Sequence, residues 1–174
     1  MGQQGSQSQE RNENTHIYLL KSGKEIDSIV SKLLKDHLVF IGVGKDEHII
    51  SNSIQQALQM IDITEKMKWN HSTIYYERHQ MIDRLLQSNL DVSDIVRKFE
   101  ELNKTEKGMD FIETLKSYIE NNGNINEVSS ILHIHRNSLN YRLDRIEYIF
   151  NLDPRKFEDL FSLFLGLIFY FCRD

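Results

Sequence analysis

Cysteine is almost absent from this sequence: Cys172 stands alone among 174 residues. A disulfide framework within the chain is therefore excluded, and so is a zinc site built on several thiolates. Such a chain suits a reducing compartment. Long apolar runs are also missing. The longest, LFSLFLGLIFYFC over 160–172, is interrupted by Ser162 and Gly166 and falls well short of the roughly 20 residues a membrane-spanning helix needs. The opening MGQQGSQSQERNENT lacks the apolar segment of a secretory signal, so residues 1–14 are expected to be a disordered tail and the chain to be cytoplasmic. Basic excess is lacking too, with 21 Lys and Arg against 26 Asp and Glu and a net charge of -5. A uniformly basic, non-specific binder of nucleic acid is excluded, because the protein's own field would oppose phosphate. Any such contact has to come from a local patch. What is present is a 40% apolar composition, enough to bury a core in one domain or two small ones.

The hydrophobic period changes along the chain. THIYLL (15–20) reads as a strand that ends at a Lys-Ser-Gly turn. Ile26, Ile29, Val30, Leu33 and Leu34 then form a helical stripe with one buried face. LVFIGV (38–43) reads as a second strand, Ile50, Ile54, Ala57, Leu58 and Ile61 restore the helical period, and STIYYE (72–77) reads as a third strand. That order, β-α-β-α-β, predicts a small α/β module with crossover connections. Beyond Glu77 the pattern is helical, with short helices over 80–90 and 92–104 and a boundary at the charged NKTEKG. Phe111, Leu115 and Ile119 line a helix that Gly123 ends. Asn124 with Glu127 resembles a capping box that opens the next helix, whose core positions are Val128, Ile131 and Leu132. The stretch HIHRNSLNYRLDRI (133–146) follows after a short connector, with Leu139, Leu143 and Ile146 on one stripe. Two short helices joined by a turn of about 3 to 4 residues have the layout of a helix-turn-helix. Asp153-Pro154 breaks the chain before a final apolar helix, which is expected to pack over this unit or against a second copy.

Three groups of residues invite a functional reading. His133 and His135 are common zinc ligands by type, but a spacing of two does not share a helix face, and no cysteine or acidic residue near in sequence completes a tetrahedral set. They are read as turn and helix cap, with no metal expected. Residues 42–44, GVG, lack both the third glycine of a dinucleotide fingerprint and the Gly-Lys-Ser/Thr of a phosphate loop. They are read as a tight turn leaving a strand. No Ser/His/Asp or Cys/His set is visible, and Glu100 and Glu101 suit a solvated helix face. Neither a cofactor nor an enzymatic activity is expected. The third group is the face of the 136–148 helix turned away from Leu139. Asn137, Tyr141, Asp144 and Tyr148 lie opposite the aliphatic stripe, Arg136 and Asn140 at one edge, and Ser138, Arg142 and Arg145 at the other. Such a face can offer guanidinium to guanine, amide to adenine and hydroxyls to phosphate. Three arginines against Asp144 make it locally positive within an acidic chain. A polar face kept for solubility is the plainer reading of the same residues.

A resemblance favours the first reading. The run FIETLKSYIENNGNINEVSSILHIHRNSLNYRLDRIEYIFNLDP (111–154) resembles the C-terminal helix-turn-helix of PucR-type and CdaR-type bacterial transcription regulators, which is similar to the Fis DNA-binding unit. The pattern is carried by Leu115, Tyr118, Ile119, Asn122, Gly123, Asn124, His135, Arg136, Asn137, Ser138, Leu139, Tyr141, Arg142 and Leu143. Ser138 replaces the usual threonine and keeps its hydroxyl, and VSSIL (128–132) replaces an alanine-rich helix, with Ser129 still small at the helix crossing. Upstream, HLVFIGVGKDEHIISNSIQQALQMI resembles a GGDEF-like module without the catalytic signature, so cyclase activity is not implied.

The expected fold class is α+β and mostly α. A partial α/β module (15–78) and connecting helices (79–107) precede a helix-turn-helix domain with the apolar helix (108–174). The resemblance implies a sequence-specific transcription regulator, either the C-terminal piece of a longer regulator with an upstream effector-sensing domain or a truncated relative. Arg136, Asn137, Asn140 and Tyr141 would lie nearest base edges in the major groove, and Ser138, Arg142 and Arg145 would hold phosphates. The expected partners are operator DNA, as half-sites about 34 Å apart, and a second copy of the chain joined through the apolar helix or the α/β module. The alternative is an effector-sensing or interaction module that does not bind DNA, with Asp144 and Glu147 blunting the basic face.

Overall fold

The computed structural model describes residues 26–36, 41–46, 48–69 and 73–172; the strand expected over 15–20 and the tail over 1–14 lie outside them. Among the described residues the order is α1 (Ile26–Asp36), β1 (Ile41–Val43), α2 (Ile50–Met67), β2 (Thr73–Tyr75), α3 (Tyr76–Leu86), α4 (Ser93–Leu102), α5 (Glu106–Glu120), α6 (Ile125–Ile131), α7 (Arg136–Phe150) and α8 (Phe157–Cys172). This is the mostly α, α+β class expected from the sequence.

β1 and β2 pair in parallel, with Ile41, Gly42 and Val43 opposite Thr73, Ile74 and Tyr75. Parallel neighbours need a crossover, and α2 supplies it. The strand expected over 72–77 ends early, because Tyr76 already belongs to α3. Its hydroxyl donates to Asp83 Oδ2 at 2.8 Å, two turns further along the same helix. The glycines of GVG have a packing reason rather than the tight turn expected. A Cβ on Gly42 would lie 2.1 Å from the Ala57 carbonyl oxygen, and one on Gly44 2.0 Å from that of Ser53. β1 thus approaches α2 more closely than any side chain permits.

The expected stripe of α2 is displaced toward its C-terminal end. Ile50 is exposed and Ile54, Ala57, Leu58 and Ile61 are half-buried, whereas Met60, Ile63 and Met67 are fully buried. Ala57 and Ile61 lie against Gly42 of the strand, and the buried set joins a core shared with the later helices. α5 lies at the centre of that core, packed by α4, α6, α7 and α8. Its buried arc is consequently wider than the expected Phe111, Leu115, Ile119 stripe: Ile112, Leu115 and Tyr118 are buried, and Phe111 and Ile119 only partly so. α8 packs on α2, α3, α4 and α5 of its own chain, burying Leu163, Leu167, Ile168 and Phe169 while leaving Phe157 and Phe161 exposed. No helix among the described residues is long and apolar enough to cross a membrane.

Candidate nucleic-acid interface

Two helix ends set the geometry of the 111–150 region, and both close in the same way. At the end of α5, Asn122 takes a left-handed conformation (φ 51°) and Gly123 follows at φ 75°. The Asn122 N–H donates to the Ile119 carbonyl at 3.0 Å and the Gly123 N–H to that of Tyr118 at 2.8 Å. This pair of bonds defines a Schellman end. Asparagine, rather than the glycine expected from the sequence, occupies its first left-handed position. Gly123 remains necessary, because a Cβ there would sit 3.1 Å from the Tyr118 hydroxyl at a φ that side chains avoid. Gly123→Ala is expected to destabilise the fold by about 1 to 2 kcal/mol, measured by urea denaturation; an unchanged midpoint would mean that this turn tolerates a side chain. Asn124 then caps α6, its side chain accepting from the Asn126 N–H at 3.1 Å and the Glu127 N–H at 3.4 Å. Only half of the expected capping box forms, since the Asn124 N–H donates to the Asn121 carbonyl.

The end of α6 repeats this chemistry. His133 is left-handed (φ 52°), its N–H donates to the Ser130 carbonyl at 3.3 Å, and that of Ile134 donates to Ser129 at 3.0 Å. Ile134 then turns into the core. His135 caps α7, its Nδ1 accepting from the Asn137 N–H at 3.2 Å. The two histidines are therefore turn and cap, as expected. His135→Ala should cost about 0.5 to 2 kcal/mol while His135→Ser costs less, because serine keeps a capping acceptor; equal thermal shifts for both would contradict the cap. Of the core positions expected for α6, Val128 is fully buried and Leu132 partly, but Ile131 is exposed. Ser129 takes the buried place on that face, with its hydroxyl donating to the Ile125 carbonyl at 2.6 Å.

α7 runs two residues past the expected 148 and rests on Leu139, Leu143, Ile146 and Phe150, all buried. Arg136, Asn137, Ser138, Asn140 and Tyr141 are exposed, with Tyr141 61% accessible. The structure brings these five together on the first turns of one helix. Arg145 stands further along, half-buried, its guanidinium carbon 4.9 Å from the centre of the Tyr148 ring. Among the described residues neither Arg136 nor Arg145 has a carboxylate within ion-pair distance. Arg142 is placed differently. Its Nη2 donates to Asp110 Oδ2 at 2.8 Å and its Nη1 to Thr114 Oγ1 at 3.1 Å, both on α5.

Sequence reasoning missed Arg155. From the loop after α7 it donates to Asp144 Oδ1 at 2.6 Å and lies 3.6 Å from Glu147 Oε2 and 3.5 Å from Asp153 Oδ1. Its single positive charge is shared among these three carboxylates and offsets part of the acidic charge that could blunt the basic face. The Arg155 backbone N–H, which donates to Asp153 Oδ1 at 3.0 Å, is the chief reason the Asp153 carboxyl lies below its usual pKa. The charges of Arg155 and Lys156 add to this against a burial that pushes the other way. A carboxyl depressed in the folded state stabilises above its unfolded pKa, and that stability is lost as the pH falls through the folded value. Asp153→Asn should therefore flatten the loss of stability below about pH 4, read from thermal melts across pH 2 to 7; identical curves for variant and wild type would contradict the loop's role.

A helix ending in a left-handed residue, a short turn and a second helix with a polar, locally basic outer face define a helix-turn-helix unit. Residues 111–169 match the PucR C-terminal helix-turn-helix domain. The chain is also similar to the DNA-binding transcriptional activator AdeR of Bacillus subtilis (strain 168), 28% identical over 137 residues that make up 75% of this chain and 32% of AdeR. It is 28% identical over 145 residues to the proline-responsive transcriptional activator PutR of the same organism, covering 75% of this chain and 34% of PutR. The chain spans about a third of the length of these curated relatives.

Proposed function

We propose that this chain acts as a sequence-specific, DNA-binding transcription regulator of the PucR and CdaR type, with α7 as its recognition helix in the major groove. The observation that carries this reading is the first turns of α7, where Arg136, Asn137, Ser138, Asn140 and Tyr141 lie exposed together over a fully buried aliphatic stripe. Arg136 and the two asparagines have the donor and acceptor patterns that pair with guanine and adenine edges. Ser138 and Arg145 suit phosphate oxygens, and stacking on Tyr148 limits the freedom Arg145 would lose on binding. The pairing of Asp144 and Glu147 with Arg155 weakens the case for a unit that no longer binds DNA, because it offsets part of their charge.

On the same reading a second copy supplies the second half-site, because one helix-turn-helix touches few base pairs. The exposed Phe157 and Phe161 belong to this proposal as candidate interface residues. The β1-α2-β2 unit supports residues 15–78 as a GGDEF-like, non-catalytic module, joined through 79–107 to the helix-turn-helix domain at 108–174. A small-molecule effector belongs to this reading as well, prompted by the proline response named for PutR. The test is enrichment of duplexes from a random pool by the purified chain. A two-fold motif with half-sites about 34 Å apart is expected, and a pool that gains no motif contradicts the proposal.

A further inference from the structure

Arg142 has the residue type of a phosphate contact and the surroundings of a structural tie. Its side chain is 20% accessible, and its fork is occupied on α5: Nη2 donates to Asp110 Oδ2 at 2.8 Å, and Nη1 to Thr114 Oγ1 at 3.1 Å and the Asp110 carbonyl at 3.5 Å. Thr114 is fully buried and gives its own proton to the Asp110 carbonyl at 2.7 Å, which leaves a lone pair for the guanidinium. Asp110 and Thr114 are one helical turn apart, so a single planar group bridges one turn of α5 from one point on α7.

Around this tie α5 and α7 share an apolar core. Burial of Leu139, Leu143 and Ile146 holds α7 against the core, but apolar burial is non-directional and tolerates small rotations and slides of one helix on another. Hydrogen bonds to two residues on one turn do not tolerate them. Arg136 lies six residues before Arg142, about 9 Å along the axis. A small rotation at the tie would displace the exposed groups of the first turn by an amount that matters for base contacts.

We propose that Arg142 is a positioning residue that sets the rotation of α7 on α5 through Asp110 and Thr114, so that Arg136, Asn137 and Asn140 meet DNA at a fixed angle; this rests on the DNA-binding reading above. The test uses the full chain with two probes, the duplex that the wild type enriches from a random pool and an unrelated duplex of equal length, across a salt series. Arg142→Met and Asp110→Asn should each weaken the selected duplex by about ten-fold or more, leaving the unrelated duplex and the salt slope unchanged. If Arg142 instead held a phosphate, Arg142→Met would weaken both duplexes and make the slope shallower by about 0.9. Asp110→Asn, which frees the guanidinium and removes a negative charge, would then tighten binding. That pattern overturns the proposal, as does an equal loss on both duplexes that tracks a fall in melting temperature. Variants that keep wild-type affinity for the selected duplex overturn this role alone. A wild type that enriches no duplex overturns the DNA-binding reading and this role with it.

Discussion

Leu143→Ala should lower the folding stability by about 2 to 5 kcal/mol, the largest effect expected of any single change in α7. Leu143 is fully buried between Leu139 and Ile146 on the aliphatic face that α7 turns to the core. Removing three carbons there loses transfer free energy and leaves a cavity that helices tied at both ends close only partly. Tyr141, two residues earlier on the opposite face, serves as the contrast. Tyr141→Ala should change stability by less than about 0.5 kcal/mol while weakening DNA binding. Urea midpoints of the two variants against wild type check both statements, and a Tyr141→Ala loss as large as that of Leu143→Ala would contradict the placement of the helix.

Arg136→Ala should cost about 1 to 3 kcal/mol in binding to the selected duplex, roughly a five- to 150-fold loss, if its guanidinium meets a guanine edge in bidentate fashion. Several features of its position favour such an effect. Arg136 is the first residue of α7, it is exposed, and no carboxylate among the described residues holds it elsewhere. The loss should be confined to one base position, with affinity for unrelated DNA changed little more than one lost charge requires. Gel-shift titrations at fixed salt against the selected duplex and its single-base variants read this directly, and unchanged affinity would remove Arg136 from the reading set.

The helical half of this fold was legible because its punctuation is chemical. Asn124 and His135 are capping residues at the places where α6 and α7 start, and Leu139, Leu143 and Ile146 keep a strict helical spacing. The less accurate expectations share another cause. Ile131 and Ile50 fit an apolar stripe by type yet face solvent, because the neighbouring helices decide which side of a stripe is buried. Tyr76 closes an apolar, aromatic run that reads equally well as strand or as helix start, and its bond to Asp83 favours the helix. At the candidate interface the sequence supplied residue types and one helical face, which sufficed to gather Arg136, Asn137, Asn140 and Tyr141. Angular position on an isolated helix could not show that Arg142 meets Asp110, 32 residues earlier, or that Arg155 pairs with Asp144. Those pairings depend on how α5, α7 and the following loop pack together.

The most direct test of the central claim is the salt dependence of binding between the purified chain and its selected duplex. Each phosphate neutralised by an arginine or lysine releases condensed counterions, so the logarithm of the association constant should fall linearly with that of salt concentration, by about 0.9 for each such contact. The account predicts a complex with a steep negative slope although the whole chain carries a net charge of -5. No complex at any salt concentration, or one whose affinity is indifferent to salt, would contradict it.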